Sequence, residues 1–353
     1  MRIIIIGAGI TGLSVAYWLE KNKYKNYKVY EKEKDVGGLC QTYVIKTNKG
    51  NFLFEKVGHV LHLKDKYIIK LLSEFLYKCN KHKRSSYVFF QKKYIPYPFQ
   101  HHIFHLDDNI AKQCLIDFLN ASVRNDNFTN FVEWTYATFG KEISNCFMIP
   151  YNKKIWGNHL NKLTYDWVNK FIPVTDIDSI FSFYRKDKIK NIGYNFEFYY
   201  PKEDTISLLP KFLLSKINNV ELEKEIERIE IKRKKIFFQN NTSSYDILIS
   251  TIPLPELISR IDSCPYEVKS IVKYLKWRSV ACFNFGISKP INLNAHWIYF
   301  PQKEYYFYRI LFPANFSSFL VPKGFSSISV EVAHSPKEKI NYEELKEKII
   351  NQL

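Results

Sequence analysis

Three glycines, Gly7, Gly9 and Gly12, stand in the spacing GxGxxG directly after the apolar run at residues 2–6. In such a loop the first glycine permits a tight turn and the second lets the backbone approach a pyrophosphate. The third lets the following helix pack closely on the strand. Thr11 lies within the same loop, and the helix N-terminus beyond it faces an anion. A second apolar stretch, residues 27–31, ends on Glu31, 19 residues after Gly12, where a carboxylate can accept hydrogen bonds from a ribose. The chemistry is that of a bound dinucleotide.

Further along lie side chains suited to a polar, anionic ligand. Gly58 precedes His59, so the backbone can turn sharply there, although His59 also reads as a structural histidine. Pro96 and Pro98 stiffen the segment that carries Tyr97 and Gln100; their polar ends suit a uracil or ribose, and a proline-bounded edge strand is the alternative. Asn152 and Trp156 are four apart, on one face of a helix, which serves a site or a plain core equally. Trp297 and Tyr299 alternate on a strand and share a face, with Arg309 on the next strand. An arginine set among aromatic residues requires an anion or a ring to stack on, and a diphosphate is a natural anion.

The elements that must hold these residues follow from the patterning. The β-α-β unit takes residues 2–6, 13–20 and 27–31. Helical spacing runs through 67–80, 107–124 and 128–149, and again through 207–217 and 342–353. Strands are expected at 179–184, 194–200, 226–231, 235–238 and 246–251, then at 278–287, 296–300, 305–312 and 326–333. The expected fold is α/β: a Rossmann-like dinucleotide domain (1–65 and 205–260) interleaved with a helical domain (66–173) and an antiparallel β-sheet substrate domain (174–204 and 261–335), closed by a C-terminal helix (336–353).

Composition sets the outer limits. In 353 residues, 46% are hydrophobic and 17% aromatic, which excludes wholesale disorder. The net charge is +17, carried by 52 basic against 35 acidic residues, and 43 of the 52 are scattered lysines rather than the Arg forks of a nucleic-acid groove. No nucleic acid is therefore expected, whereas an acidic small substrate suits the balance. The six cysteines show no metal spacing and read as reduced thiols of a cytoplasmic protein; no metal is expected. No apolar run reaches the ~18 residues of a membrane span. A homo-oligomer is left open.

The motifs taken together resemble known flavoproteins. Glu31 is followed by Gly37-Gly38-Leu39, which resembles the E-x(5)-GG of glutathione-reductase-like FAD proteins, where this pair approaches the extended FAD. Ile226 with the later run Tyr245–Pro253 resembles that group's second FAD segment, in which the backbone near Ile226 meets the adenine. Gly58-His59-Val60, Tyr97-Pro98-Phe99-Gln100, Phe147 with Pro150-Tyr151-Asn152-Lys153-Lys154-Ile155-Trp156, and Trp297-Ile298-Tyr299 leading to Arg309 resemble, in this order, the UDP-galactopyranose mutases.

That resemblance covers nearly the whole chain. It implies FAD, used in its reduced form, and a UDP-sugar substrate. The implied reaction interconverts UDP-galactopyranose and UDP-galactofuranose for cell-surface polysaccharide synthesis, with flavin N5 attacking the anomeric carbon. His59 and Arg309 would be catalytic. Tyr97, Gln100, Phe147, Asn152, Trp156, Trp297, Tyr299 and Asn315 would join Arg309 in binding substrate. An FAD-dependent oxidoreductase of the amine oxidase or protoporphyrinogen oxidase group is the alternative, as is an inactive fragment. Against the family pattern, Phe171 stands where an arginine is expected, Phe316 where a tyrosine follows Asn315, and Pro201–Thr205 where a glycine pair precedes a helix. The chain also stops at Leu353, ahead of a segment that in the family supplies a last FAD-contacting strand and helix.

Overall fold

Ile3–Ile6 is β-branched throughout and fully buried, the pattern of a strand covered on both faces. In the computed structural model, which describes residues 1–122, 128–185 and 196–353, it lies in a four-stranded parallel sheet. Ile247–Ser250 and Tyr27–Tyr30 flank it, and Val220–Glu221 lies outermost. Helix Ile10–Lys21 returns across one face, burying Gly12, Leu13 and Ala16. Helix Leu208–Leu214 packs beside it. A three-stranded antiparallel meander, Arg228–Glu230, Lys235–Phe237 and Thr242–Ser244, covers the other face. This is the Rossmann-like part, interleaved with two others as expected.

The second part is a six-stranded sheet in the order Ser279–Ile287, Ser326–His334, Arg309–Leu311, Trp297–Tyr299, Ser86–Phe90, Lys93–Pro96. Its neighbours are antiparallel except for Trp297–Tyr299 against Ser86–Phe90, which run parallel. The third part is helical: Asp108–Ser122, Phe131–Ile143, a π-turn at Ser144–Met148, and Ile149–Trp156. Its core is built from Phe99, Phe118, Phe131, Trp134, Phe139 and Phe147.

Several elements differ from the sequence expectation. Residues 179–184, expected as a strand, belong to helix Ile177–Arg185. The alternating aromatics were misleading. Ile177, Ile180 and Phe181 lie at i, i+3 and i+4, Ile180 is buried, and Asp176 accepts from the Ser179 N–H at 2.7 Å at the helix start. The stretch 67–80 breaks into Lys66–Leu71 and Ser73–Tyr77, and Cys79 already opens a strand pairing with Glu197–Pro201. Of 305–312 only Arg309–Leu311 is strand. Strand Ser86–Phe90 lies in the stretch expected as the helical domain, because it pairs with Trp297–Tyr299 more than 200 residues away, and Lys93–Pro96 folds back on it as the edge strand that the prolines left open. Residues 123, 124, 194 and 195 of the expected elements lie outside the described residues.

Candidate functional site

The glycine loop forms a cradle with its backbone. Gly7 adopts φ +96° and donates its N–H to the Tyr30 carbonyl at 2.8 Å. A Cβ on Gly12 would lie 1.9 Å from the Gly7 carbonyl oxygen, so only glycine lets the helix approach this strand. Gly9 precedes the helix and its Cα faces open space, with nothing within 4 Å of where a Cβ would stand. Thr11, in the first helical turn, is exposed.

Glu31 is buried, and its two oxygens accept from the Ala8 and Glu33 N–H groups at 2.7 and 3.0 Å. Gly37 bridges to Gly9 and donates to the Ala8 carbonyl at 2.9 Å, and Gly38 follows at φ +57°. Leu39 beside them is 65% exposed, an apolar side chain with no protein cover. A cavity of about 50 Å³ links Gly7, Glu31 and Ile226. The Ile226 carbonyl already accepts from the Arg260 guanidinium. An open backbone loop at a helix N-terminus, a buried carboxylate beside it and an uncovered apolar side chain fit an adenine dinucleotide with a flavin end.

A second cavity, about 280 Å³, opens between the large sheet, the loop after strand Gly50–Glu55 and the helical part. His59 enters it from that loop. Gly58 lets the loop pass close to Leu311, whose Cδ2 would lie 2.2 Å from a Cβ there and would have to shift. The His59 N–H donates to Glu55 at 2.9 Å. His59 Nδ1 lies 2.9 Å from the Val57 carbonyl; a carbonyl only accepts, so Nδ1 carries the proton and Nε2 is the ring's acceptor.

Tyr299 and Arg309 are direct cross-strand partners in the opposite wall, and both line this cavity with Trp297 and Tyr97. Trp297 Nε1 donates to the Tyr299 hydroxyl at 2.7 Å, and the Tyr97 and Tyr299 rings lie 5.1 Å apart. Burial, then the neighbouring Tyr299, pushes the Tyr97 phenol well above its ordinary range.

Arg309 was expected to need an anion, and the fold supplies one. Its Nε and Nη2 both donate to Glu331 Oε2 at 2.7 Å, and the Tyr308 hydroxyl donates to the same oxygen at 2.6 Å. The Glu331 side chain is fully buried while that of Arg309 keeps 24% of its surface, so the pair is anchored in the sheet and open toward the cavity. Burial opposes the arginine's charge, yet the attraction of Glu331 holds its proton affinity above the ordinary value.

The remaining expected site residues do not line this cavity. Gln100 is buried and donates to the Pro173 carbonyl at 2.5 Å, with Oε1 unpartnered. Phe147 is a core ring stacked on Phe99 and Tyr151. Asn152 donates to the Met148 carbonyl one turn back, and Trp156, 46% exposed, meets Trp167. Asn315 clamps the Leu293 and Ala295 carbonyls at 2.8 and 2.6 Å.

In their place the cavity gains His62, Arg84 and Phe171; Phe171 holds the position where the family pattern led one to expect an arginine, and Arg84 was not expected there. Arg84 lies over the Tyr97 ring at 4.7 Å and puts a second guanidinium in the wall. Being one of nine arginines was its only sequence signal. Glu331 carried a weak one, a charge in the middle of an apolar strand.

The fold defines a class: a Rossmann-like NAD(P)/FAD-binding domain interleaved with a large, mostly antiparallel sheet and a helical part. The family model described as NAD(P)-binding Rossmann-like domain matches residues 5–75. Over nearly its full length the chain is similar to reduced UDP-galactopyranose mutase, with a TM-score of 0.91 and 28% identity across 99% of this chain and 78% of that one. Two further structures share the fold at lower identity. A provisionally assigned protoporphyrinogen oxidase from Exiguobacterium sp. 255-15 matches at TM-score 0.71 and 15% identity, over 99% of this chain and 81% of that one. A double mutant of putrescine oxidase matches at 0.63 and 15%, over 99% and 80%. The Rossmann-like domain together with the UDP-galactopyranose mutase neighbour implies a flavin cofactor. No described helix is long and apolar enough to cross a membrane.

Proposed function

We propose that this protein is an FAD-dependent isomerase of nucleotide sugars that interconverts UDP-galactopyranose and UDP-galactofuranose. The observation that carries the reading is the cavity in which Trp297, Tyr299 and Arg309 face His59, since three of the four mutase-like segments, far apart in sequence, meet there. The 28% identity to reduced UDP-galactopyranose mutase over 99% of this chain supports it. The implied role is in cell-surface polysaccharide synthesis, in the cytoplasm.

The cradle of Gly7, Gly9, Gly12, Glu31, Gly37 and Gly38 would hold the cofactor, whose reduced form supplies a nucleophilic flavin nitrogen for the anomeric carbon. The chain's own residues then have separable tasks. Tyr299 accepts from Trp297, so its own hydroxyl proton is left for a ligand oxygen. The Trp297, Tyr97 and Phe171 rings exclude water from the cavity and offer faces to a base or sugar. Arg309, held in place by Glu331, would meet the diphosphate and stabilise it as it leaves. Because Glu331 already balances that charge, Arg84 supplies the cavity's further positive charge for a dianion. His59 keeps its Nδ1 proton on Val57 and offers Nε2 as an acceptor.

The test is incubation with UDP-galactofuranose, with and without dithionite, followed by product separation. Formation of UDP-galactopyranose only under reduction is expected. Peroxide release on an amine or porphyrinogen, with no sugar isomerisation, would replace this reading by an oxidase.

A further inference from the structure

Behind the His59 turn lies a buried acid that the chemistry above does not use. Glu55 ends strand Gly50–Glu55, and three donors from three segments converge on its carboxyl group. The His59 N–H reaches Oε2 at 2.9 Å, while the Tyr200 hydroxyl and the Ile206 N–H reach Oε1 at 2.5 and 3.2 Å. Tyr200 lies in strand Glu197–Pro201 and Ile206 just ahead of helix Leu208–Leu214. One carboxyl group therefore ties the cavity loop to the Rossmann-like part and to the ribbon beside it. Gly58 and Leu311 separate it from the cavity, since both line the cavity on one side and the small space around Glu55 on the other.

We propose that Glu55 is a positioning residue of this site, and that with Tyr200 it forms a proton-exchanging pair behind the His59 turn.

The bookkeeping of hydrogens makes the case. As a carboxylate, Glu55 accepts all three donors. A proton placed on Oε1, which already accepts two donors, forces one of those two to turn away. The two backbone N–H groups cannot turn without moving the chain. The Tyr200 hydroxyl can rotate, and its oxygen can accept the new proton from Oε1. The His59 bond, on the other oxygen, survives. The turn is thus held in both states while the negative charge behind it comes and goes.

The surroundings favour exchange near neutrality. No lysine or arginine pairs with Glu55 among the described residues. Cys40 and Cys282 face it as neutral thiols, each with its proton affinity raised chiefly by burial. Asp204 acts on the Tyr200 side, where burial and Glu55 hold the phenol well above its ordinary range. Burial pushes the Glu55 carboxyl up to about 7, against the lowering effect of its three donors. An anion placed in the cavity would favour the protonated form, so binding and protonation are linked. This last step alone rests on the nucleotide-sugar reading. His59 and His62 are the other ionisable side chains besides Arg84, Arg309 and the tyrosines that line the cavity.

The experiment has a ligand-free arm and a ligand arm. Infrared difference spectra across pH 5–9 should show a carboxylic-acid carbonyl band that titrates near pH 7 and vanishes in Glu55→Gln. In Tyr200→Phe the band should persist with its midpoint moved upward, because a bond that favours the carboxylate is gone. A wild-type protein with no such band overturns the proposal, as does a band unchanged in Glu55→Gln or a midpoint that Tyr200→Phe leaves in place. In the second arm, calorimetry of UDP binding at pH 7 in buffers of different ionisation heat should show proton uptake by the wild type that Glu55→Gln loses. Equal uptake by both proteins assigns the proton to a histidine and overturns the linkage. Absence of UDP binding counts against the nucleotide-sugar reading, while the infrared arm still decides Glu55.

Discussion

The glycine cradle and the aromatic cavity are built in opposite ways. The cradle is backbone: Gly7 N–H on Tyr30, Ala8 N–H on Glu31 and Gly37 N–H on Ala8, all from one stretch of fewer than forty residues. The cavity is side chain: His59, Arg84, Tyr97, Phe171, Trp297 and Arg309 arrive from segments spread over 250 residues. The carboxylates differ in the same sense. Both oxygens of Glu31 accept from neighbouring N–H groups, whereas Glu331 takes the Arg309 guanidinium and the Tyr308 phenol on one oxygen and leaves the other buried without a partner. Backbone recognition needs only a local pattern of glycines, whereas convergent side chains need the whole fold.

The largest test breaks the cavity. Arg309→Ala leaves the fully buried Glu331 without its cation and should destabilise the protein by about 3–5 kcal/mol, measured by urea unfolding. Arg309→Lys, which keeps the charge, should lose clearly less; equal losses would mean that the pair is not what holds this strand. UDP affinities of the alanine variant are therefore meaningful only where it is folded.

The cradle should break through sterics instead of charge. Gly12→Ala sets a methyl group 1.9 Å from the Gly7 carbonyl, where backbone must move, and should cost about 3 kcal/mol together with bound flavin. A variant that melts like the wild type and keeps its full flavin absorbance would show that helix and strand can separate cheaply.

A third test lies between the two regions and concerns pH. The Glu55 carboxyl has a value of about 7 in the fold against an ordinary 4.5, so the folded state binds the proton more tightly than the unfolded chain does. The stabilisation is fully present below the unfolded value and is lost as the pH rises through about 7. The difference amounts to about 3 kcal/mol across that window. Thermal melts of wild type and Glu55→Gln over pH 4.5–8 should show this slope only in the wild type, and parallel curves would remove Glu55 as its source.

The smallest test sharpens the cavity alone. Tyr299→Phe deletes the acceptor of the Trp297 indole and should cost about 1 kcal/mol in stability. Under the proposed function it also weakens UDP binding, whereas flavin content should stay unchanged. A loss of flavin would show that the two regions are less separate than their construction suggests.

How far each region could be read in advance follows from the same contrast. Ile3–Ile6, Gly7, Gly9, Gly12 and Glu31 were legible because strand, turn and helix propensities there agree with the tertiary contacts. The pairing of Tyr299 with Arg309 was half legible: both strands showed, and period-two alternation set their faces. Helix Ile177–Arg185 was misread because six residues of alternating aromatics satisfy a strand template, while the Asp176 bond that starts the helix leaves little trace in a pattern. Asn152 and Trp156 share a helix but not a fate, one buried and one exposed, since the helix ends at Trp156 and its neighbours cover only one end.

By itself the sequence determined the β-α-β unit, its glycine turn and the acid that closes it, because these depend on steric limits within a few residues of each glycine. The tertiary structure alone decided that Glu331 would be the anion for Arg309, that Arg84 would enter the cavity opposite His59, and that Glu55 would lie buried under three donors. Those outcomes depend on which strands become neighbours and how deeply each charge is desolvated, and both are set by contacts between residues far apart in the chain.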